Sequence, residues 1–124
     1  MAAPQTVLLV EDEEPIRRII RRELEKTGLR VLEADNGETA TMIAFQERPQ
    51  LILLDVLMPK MHGMEMLQRL KEDTWGKHVP VILLTNVADD PRVQDAVRTG
   101  RAQLLSKAET KLEDIIKAVR EKIA

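Results

Sequence analysis

The chain has 124 residues, 44% hydrophobic and 32% charged, with nineteen basic against twenty-one acidic side chains and a formal net charge of -2. That is the make-up of one globular domain over 1–124, and it argues against direct binding to nucleic acid or insertion into a membrane, since no basic bias and no bilayer-length apolar run is present. The absence of cysteine excludes disulfide and thiolate chemistry and fits a cytoplasmic location, as does a start, Met1-Ala-Ala-Pro-Gln5, without the basic region of a signal peptide.

Thr6 to Val10 is β-branched and aliphatic, which predicts a central strand. It runs into Glu11-Asp12-Glu13-Glu14, and Pro15 suits the first turn of a helix. Ile16, Ile19, Ile20 and Leu24 recur at helical spacing, with Arg17, Arg18, Arg21 and Arg22 as a basic outer face. That face reads as solvated and coupled to nearby glutamates. Gly28 ends the helix. Leu29 to Ala34 predicts a second strand, Asp35-Asn36-Gly37 a turn, and Glu38 to Gln46 a helix that packs through Ala40, Ile43 and Ala44. Arg48-Pro49 closes it, because a residue before proline leaves the α region.

Gln50 to Asp55 predicts a third strand buried on both faces, ending in a carboxylate. A turn through Pro59 leads to a helix from Gly63 to Glu72, with Met58, Met61, Met64 and Met66 as packing residues. Trp75 falls in a loop with Gly76, half exposed. His62 and His78 lack the neighbours a metal site needs and take structural or solvent roles. Val79 to Leu84 predicts a fourth strand ending in Thr85-Asn86. Asp89-Asp90-Pro91 opens a helix that ends at Gly100. Ala102 to Leu105 is a short fifth strand leading to Ser106-Lys107, and a last helix runs from Lys111 to Ile123.

Five alternations of strand and helix are a βαβ pattern. They imply a parallel sheet with helices on both faces and right-handed crossovers. A flavodoxin-like order is one of the two common choices, and spacing alone does not select it.

The carboxyl ends of the strands collect Glu11 and Asp12, Asp55, Thr85 and Lys107 on one rim. Three carboxylates together repel and raise one another's pKa. A hard divalent cation such as Mg2+ removes that cost and takes phosphate oxygens as further ligands. Lys107 adds a mobile point charge for a phosphate and Thr85 a hydroxyl. Asp55 stands where a carboxylate acts as phosphoryl acceptor. No glycine-rich phosphate loop or dinucleotide fingerprint is present, so the phosphoryl group comes from a partner or a small donor. A hydrolase turning over through an aspartyl-phosphate would need a water-activating base, and the sequence offers none beside these acids.

Val7-Leu-Leu-Val-Glu-Asp-Glu13, Leu53-Leu-Asp-Val-Leu-Met-Pro59 with Gly63, Leu83-Leu-Thr85 and Lys107 together resemble the receiver domain of two-component response regulators, over nearly the whole chain. The resemblance implies a three-layer (βα)5 sandwich with strand order 2-1-3-4-5. It implies Asp55 as phosphoacceptor, Glu11 and Asp12 as Mg2+ ligands with the backbone carbonyl of Leu57 (Mn2+ substituting), and Thr85 and Lys107 as the hydroxyl and lysine of the reaction. The implied partners are a histidine kinase or phosphotransfer protein, a downstream protein, and a second copy through the face of helix four, strand five and helix five. Such a protein catalyses its own phosphorylation and dephosphorylation and is not a multiple-turnover metabolic enzyme.

The chain departs from the family at three places. Leu104 stands where an aromatic residue is usual, Ala108 where proline follows the lysine, and His62 where aspartate is commoner. Leu57 and Val87 occupy the two positions that modulate dephosphorylation, and neither side chain orients a water. Slow self-hydrolysis is therefore expected. The alternative reading is a phosphorylation-independent interaction module of the same fold. The absence of linker-like composition favours a stand-alone receiver over a piece of a longer protein.

Overall fold

Three five-residue strands apolar on both faces form the middle of the sheet, and their alternation divides the core in two. The computed structural model describes residues 4–57 and 61–124. The turn expected through Pro59, and Met58, lie outside the described residues. In chain order the elements are β1 (Thr6–Val10), α1 (Glu14–Lys26), β2 (Arg30–Ala34), α2 (Gly37–Glu47), β3 (Leu51–Asp55), α3 (Gly63–Lys71), β4 (Val81–Thr85), α4 (Pro91–Arg98), β5 (Gln103–Ser106) and α5 (Leu112–Ile123). The five strands form one sheet, every pairing parallel, in the order β2-β1-β3-β4-β5. This is the flavodoxin-like (βα)5 sandwich.

Successive strand residues point to opposite faces. Leu8, Val10, Ile52, Leu54, Val81 and Leu83 therefore pack with Ala40, Ala44, Leu67, Leu70, Val93 and Ala96 of α2, α3 and α4. Val7, Leu9, Leu51, Leu53, Ile82 and Leu84 pack with Ile20, Leu24, Ile115, Val119 and Ile123 of α1 and α5. Each fully buried aliphatic side chain contributes roughly 1.5–3 kcal/mol. The expected stripe of α1 is narrower than its spacing suggests. Ile20 and Leu24 are buried, but Ile19 is 51% exposed, because it lies on the solvent edge of the helix. Trp75 is half-buried, with its ring edge-on to Phe45 at 6.1 Å.

Local chemistry sets the helix ends. Asn36 caps α2 by accepting from Thr39 N at 2.8 Å, and Asp90 caps α4 by accepting from Arg92 N at 2.8 Å. Gly28 and Gly100 leave α1 and α4 with φ of +90° and +74°. Arg48 does leave the right-handed region before Pro49, but into the left-handed one, with φ of 46°. No helix among the described residues is long and apolar enough to cross a membrane, and none of their peptide bonds is cis.

Candidate functional site

The parallel sheet brings the ends of β1, β3, β4 and β5 to one rim, and each end carries a polar residue there. Glu11 follows β1 and is 1% exposed. Its amide donates to Ala34 O at 3.0 Å, which continues the pairing with β2 for one residue. Asp12 is next and exposed. Asp55 is the last residue of β3, 6% exposed, and Thr85 the last of β4, 1% exposed. Lys107 directly follows β5, and its amide donates to Thr85 O at 3.0 Å.

The Lys107 ammonium lies 2.7 Å from Glu11 Oε1 and 3.2 Å from Asp55 Oδ2, with Glu13 Oε1 farther out at 3.5 Å. The mobile charge expected from the sequence is instead held between buried carboxylates. Glu11 Oε2 also accepts from Glu13 N at 3.1 Å, and Asp55 Oδ1 is 3.4 Å from Leu57 N.

Burial pushes the Glu11 carboxyl up to about 7, against the pull of its Lys107 hydrogen bond. Burial likewise raises Asp55, and the Lys107 charge opposes it. Mutual repulsion raises both carboxyls, as the sequence led one to expect, and removal from water is the larger cause. Burial works against the Lys107 charge, but the Glu11 hydrogen bond and the charges of Asp55 and Glu11 outweigh it and raise its pKa.

Glu11, Asp12 and Asp55 each offer a carboxylate oxygen, all within 4.8 Å of one another. An all-oxygen set with one exposed member suits a hard divalent cation that keeps some of its water, as Mg2+ does. Among the described residues, Glu11 Oε1 is buried and has no hydrogen bond beyond its ion pair with Lys107. Two buried carboxylates against one ammonium leave negative charge that a cation would offset.

The remaining sequence candidates are placed less centrally. Thr85 Oγ1 accepts from Val87 N at 3.0 Å, which orients the hydroxyl at the rim. Leu57 is 53% exposed, while Val87 is half-buried against the core. Leu104 pairs with Leu83 in the sheet and packs half-buried on the α2–α4 side. His62 does take a structural role. Its Nδ1 caps α3 by accepting from Met64 N at 3.1 Å, and its Nε2 is 3.2 Å from Arg92 Nη2. Burial and the neighbouring Arg92 charge lower its pKa, which keeps the ring in the neutral form that can accept.

The contacts of two residues escaped the sequence reading. Glu13 reaches Lys107, a signal present in the acidic run but not separable from solvation. Arg17 is only 17% exposed and reaches both Glu33 and the Glu11 carbonyl. Its spacing on α1 marks a polar face, and nothing in the spacing shows that β2 lies beneath it.

A family model described as "Response regulator receiver domain" matches residues 7–120. The chain is 39% identical over 102 residues to Histidine kinase P4 of Formosa agariphila, which covers 82% of this chain and 7% of that protein. It is 35% identical over 103 residues to the phosphate regulon transcriptional regulatory protein PhoB of Pseudomonas aeruginosa, 83% of this chain and 45% of that one. The chain thus spans less than half of either relative. Its fold is similar to the receiver domain of the sensor histidine kinase PA1611 of Pseudomonas aeruginosa, with TM-score 0.84, 27% identity and 98% of each chain covered. That structure has a magnesium ion coordinated in its active site cleft.

Proposed function

The chain belongs to the response regulator receiver domain family, and we propose that it accepts one phosphoryl group on Asp55 from the phosphohistidine of a histidine kinase or phosphotransfer protein. The observation that carries this reading is the Lys107 ammonium held 3.2 Å from Asp55 Oδ2 and 2.7 Å from Glu11 Oε1 at the sheet rim. In the transfer, an Asp55 carboxylate oxygen forms the new O–P bond as the N–P bond of the phosphohistidine breaks. The bonding pair stays on the imidazole nitrogen, which takes up a proton from solvent. Lys107 would leave its carboxylate partners for the phosphoryl oxygens, and the Thr85 hydroxyl would donate to them.

Glu11, Asp12 and Asp55 would hold Mg2+, or Mn2+ in its place, joined by the Leu57 backbone carbonyl; when bound, the metal neutralises charge on the carboxylates and on the transferred group. One phosphoryl group per chain, gained and lost at Asp55, is self-catalysed chemistry and not metabolic turnover. The phospho-form then binds a downstream protein or passes the phosphate on. A homodimer through α4, β5 and α5 belongs to the same reading, as does a cytoplasmic setting. Leu57 and Val87, one exposed and one turned to the core, are both apolar, which supports slow self-hydrolysis.

A second reading is a protein-interaction module of the same fold that works without phosphate. Leu104 favours it, because a half-buried leucine packed on the core has neither a ring to swing nor a polar tip.

Intact mass after incubation with a small phosphodonor, with and without Mg2+, tests the first reading. One phosphoryl increment that requires Mg2+ and disappears in Asp55→Asn supports it. Labelling of folded Asp55→Asn at unchanged stoichiometry rules Asp55 out. If neither a small donor nor a histidine kinase labels the folded wild type, the second reading stands.

A further inference from the structure

The Asp12 side chain has no hydrogen bond or ion pair among the described residues, so its position follows from its backbone. The peptide plane that leads into Asp12 is the Glu11 carbonyl, and a peptide plane is rigid. That carbonyl accepts from Arg17 Nη1 at 2.9 Å. Arg17 is itself braced: its Nε lies 3.2 Å from Glu33 Oε1 on β2, while Arg21 Nη1 takes Glu33 Oε2 at 2.8 Å. Glu33 pairs with Leu9 in the sheet register, one residue before the carboxyl end of each strand. The chain of contacts runs from β2 through Arg17 to the turn between β1 and α1.

We propose that Arg17 is a positioning residue for the metal ligands, holding the Glu11–Asp12 peptide in its binding orientation by bracing the Glu11 carbonyl against Glu33. The inference rests on the Mg2+ reading above. Glu11 is already fixed by its amide to Ala34 and by its side chain to Lys107 and Glu13. Among the described residues, Asp12 has only the peptide. Loss of Arg17 therefore acts chiefly on Asp12, the exposed ligand. Partners that orient metal ligands are each worth tenfold or more in affinity. Lysine at this position carries the charge but not the planar, pre-organised fork, so it braces Glu33 and the Glu11 carbonyl less rigidly.

The test is Mg2+ affinity by calorimetry on wild type, Arg17→Ala, Arg17→Lys and Ile123→Ala, each with its unfolding transition measured in chelator. Ile123 is buried at the far end of α5, so its truncation destabilises the fold away from the turn. The expected result is affinity weakened about tenfold in Arg17→Ala, less in Arg17→Lys, and unchanged in Ile123→Ala. Wild-type affinity in folded Arg17→Ala would overturn the positioning role. So would an equal loss in Ile123→Ala at matched stability, since the effect would then be general loosening. Absence of Mg2+ binding by wild type at millimolar metal would overturn the metal reading itself, and this inference with it.

Discussion

Gly63 lies so close beneath the end of β3 that a Cβ built on it would fall 2.6 Å from the Asp55 carbonyl oxygen and 2.8 Å from Val56 Cα. Both obstacles are backbone and cannot swing aside. The Gly63 amide also donates to Val56 O at 2.8 Å. The start of α3 is thus seated directly on the segment that carries Asp55. Gly63→Ala should destabilise the fold by about 1–3 kcal/mol, the usual cost of overpacking, and should weaken Mg2+ binding as well. Chemical denaturation with and without Mg2+ measures both. Wild-type stability would mean that the approach relaxes without cost.

Lys107→Met should lower the stability of the metal-free protein by about 3 kcal/mol, because it leaves two buried carboxylates without their cation. The Lys107 pKa is raised in the fold, so the ammonium stays charged throughout the neutral range and its own deprotonation costs stability only in strong base. The deficit should be larger at pH 8 than at pH 5, where Glu11 takes up a proton. Saturating Mg2+ should return part of it. A pH-independent deficit in urea unfolding would contradict the pairing.

Mg2+ affinity should rise with pH up to about 7 and then level off, because the Glu11 carboxyl in the metal-free protein sits at about 7 and must lose its proton to bind. Below that point each pH unit costs about tenfold in apparent affinity. The sign for folding is the reverse. An acid raised from 4.5 to about 7 favours the metal-free fold on the acid side of that window and loses the advantage as pH rises through it. Calorimetry in buffers of different ionisation enthalpy should show about one proton released per Mg2+ at pH 6. No proton release would place Glu11 in its ordinary range.

The phospho-form of Asp55 should persist for minutes or longer with Mg2+ present, and Leu57→Gln should shorten its life. A side chain there that both donates and accepts can orient an attacking water, which leucine cannot. Decay of the added mass over time checks this. A wild-type half-life of seconds would show that water is positioned by some other group.

Much of this architecture was legible in the chain because its signals are local. Apolar runs ending in acids mark strands and their rim, and Pro15 and Asp90-Pro91 mark helix starts that the structure keeps. What was not legible depends on neighbours distant in sequence. Arg17 and Ile19 sit on the same helix, yet the arginine is the more enclosed, because Glu33 and the Glu11 carbonyl lie within its reach. Lys107 was legible on the same rim as Glu11 and Asp55, but no pattern reveals that its ammonium ion-pairs with both across about fifty and a hundred residues of chain. His62 as the acceptor that starts α3 could have been read from its place before Gly63, but histidine is an uncommon cap.

The amide of Lys107 hangs from the carbonyl of Thr85 by a single 3.0 Å bond. Through it the ammonium and the hydroxyl, though they extend from neighbouring strands, share one anchorage. A group that drew the lysine side chain outward would act beside the end of β4, where Val87 N is already tied to the Thr85 hydroxyl. The loop entering α4 is therefore strung to the lysine like a tendon to a bone. An event sensed as charge at Lys107 would be felt there.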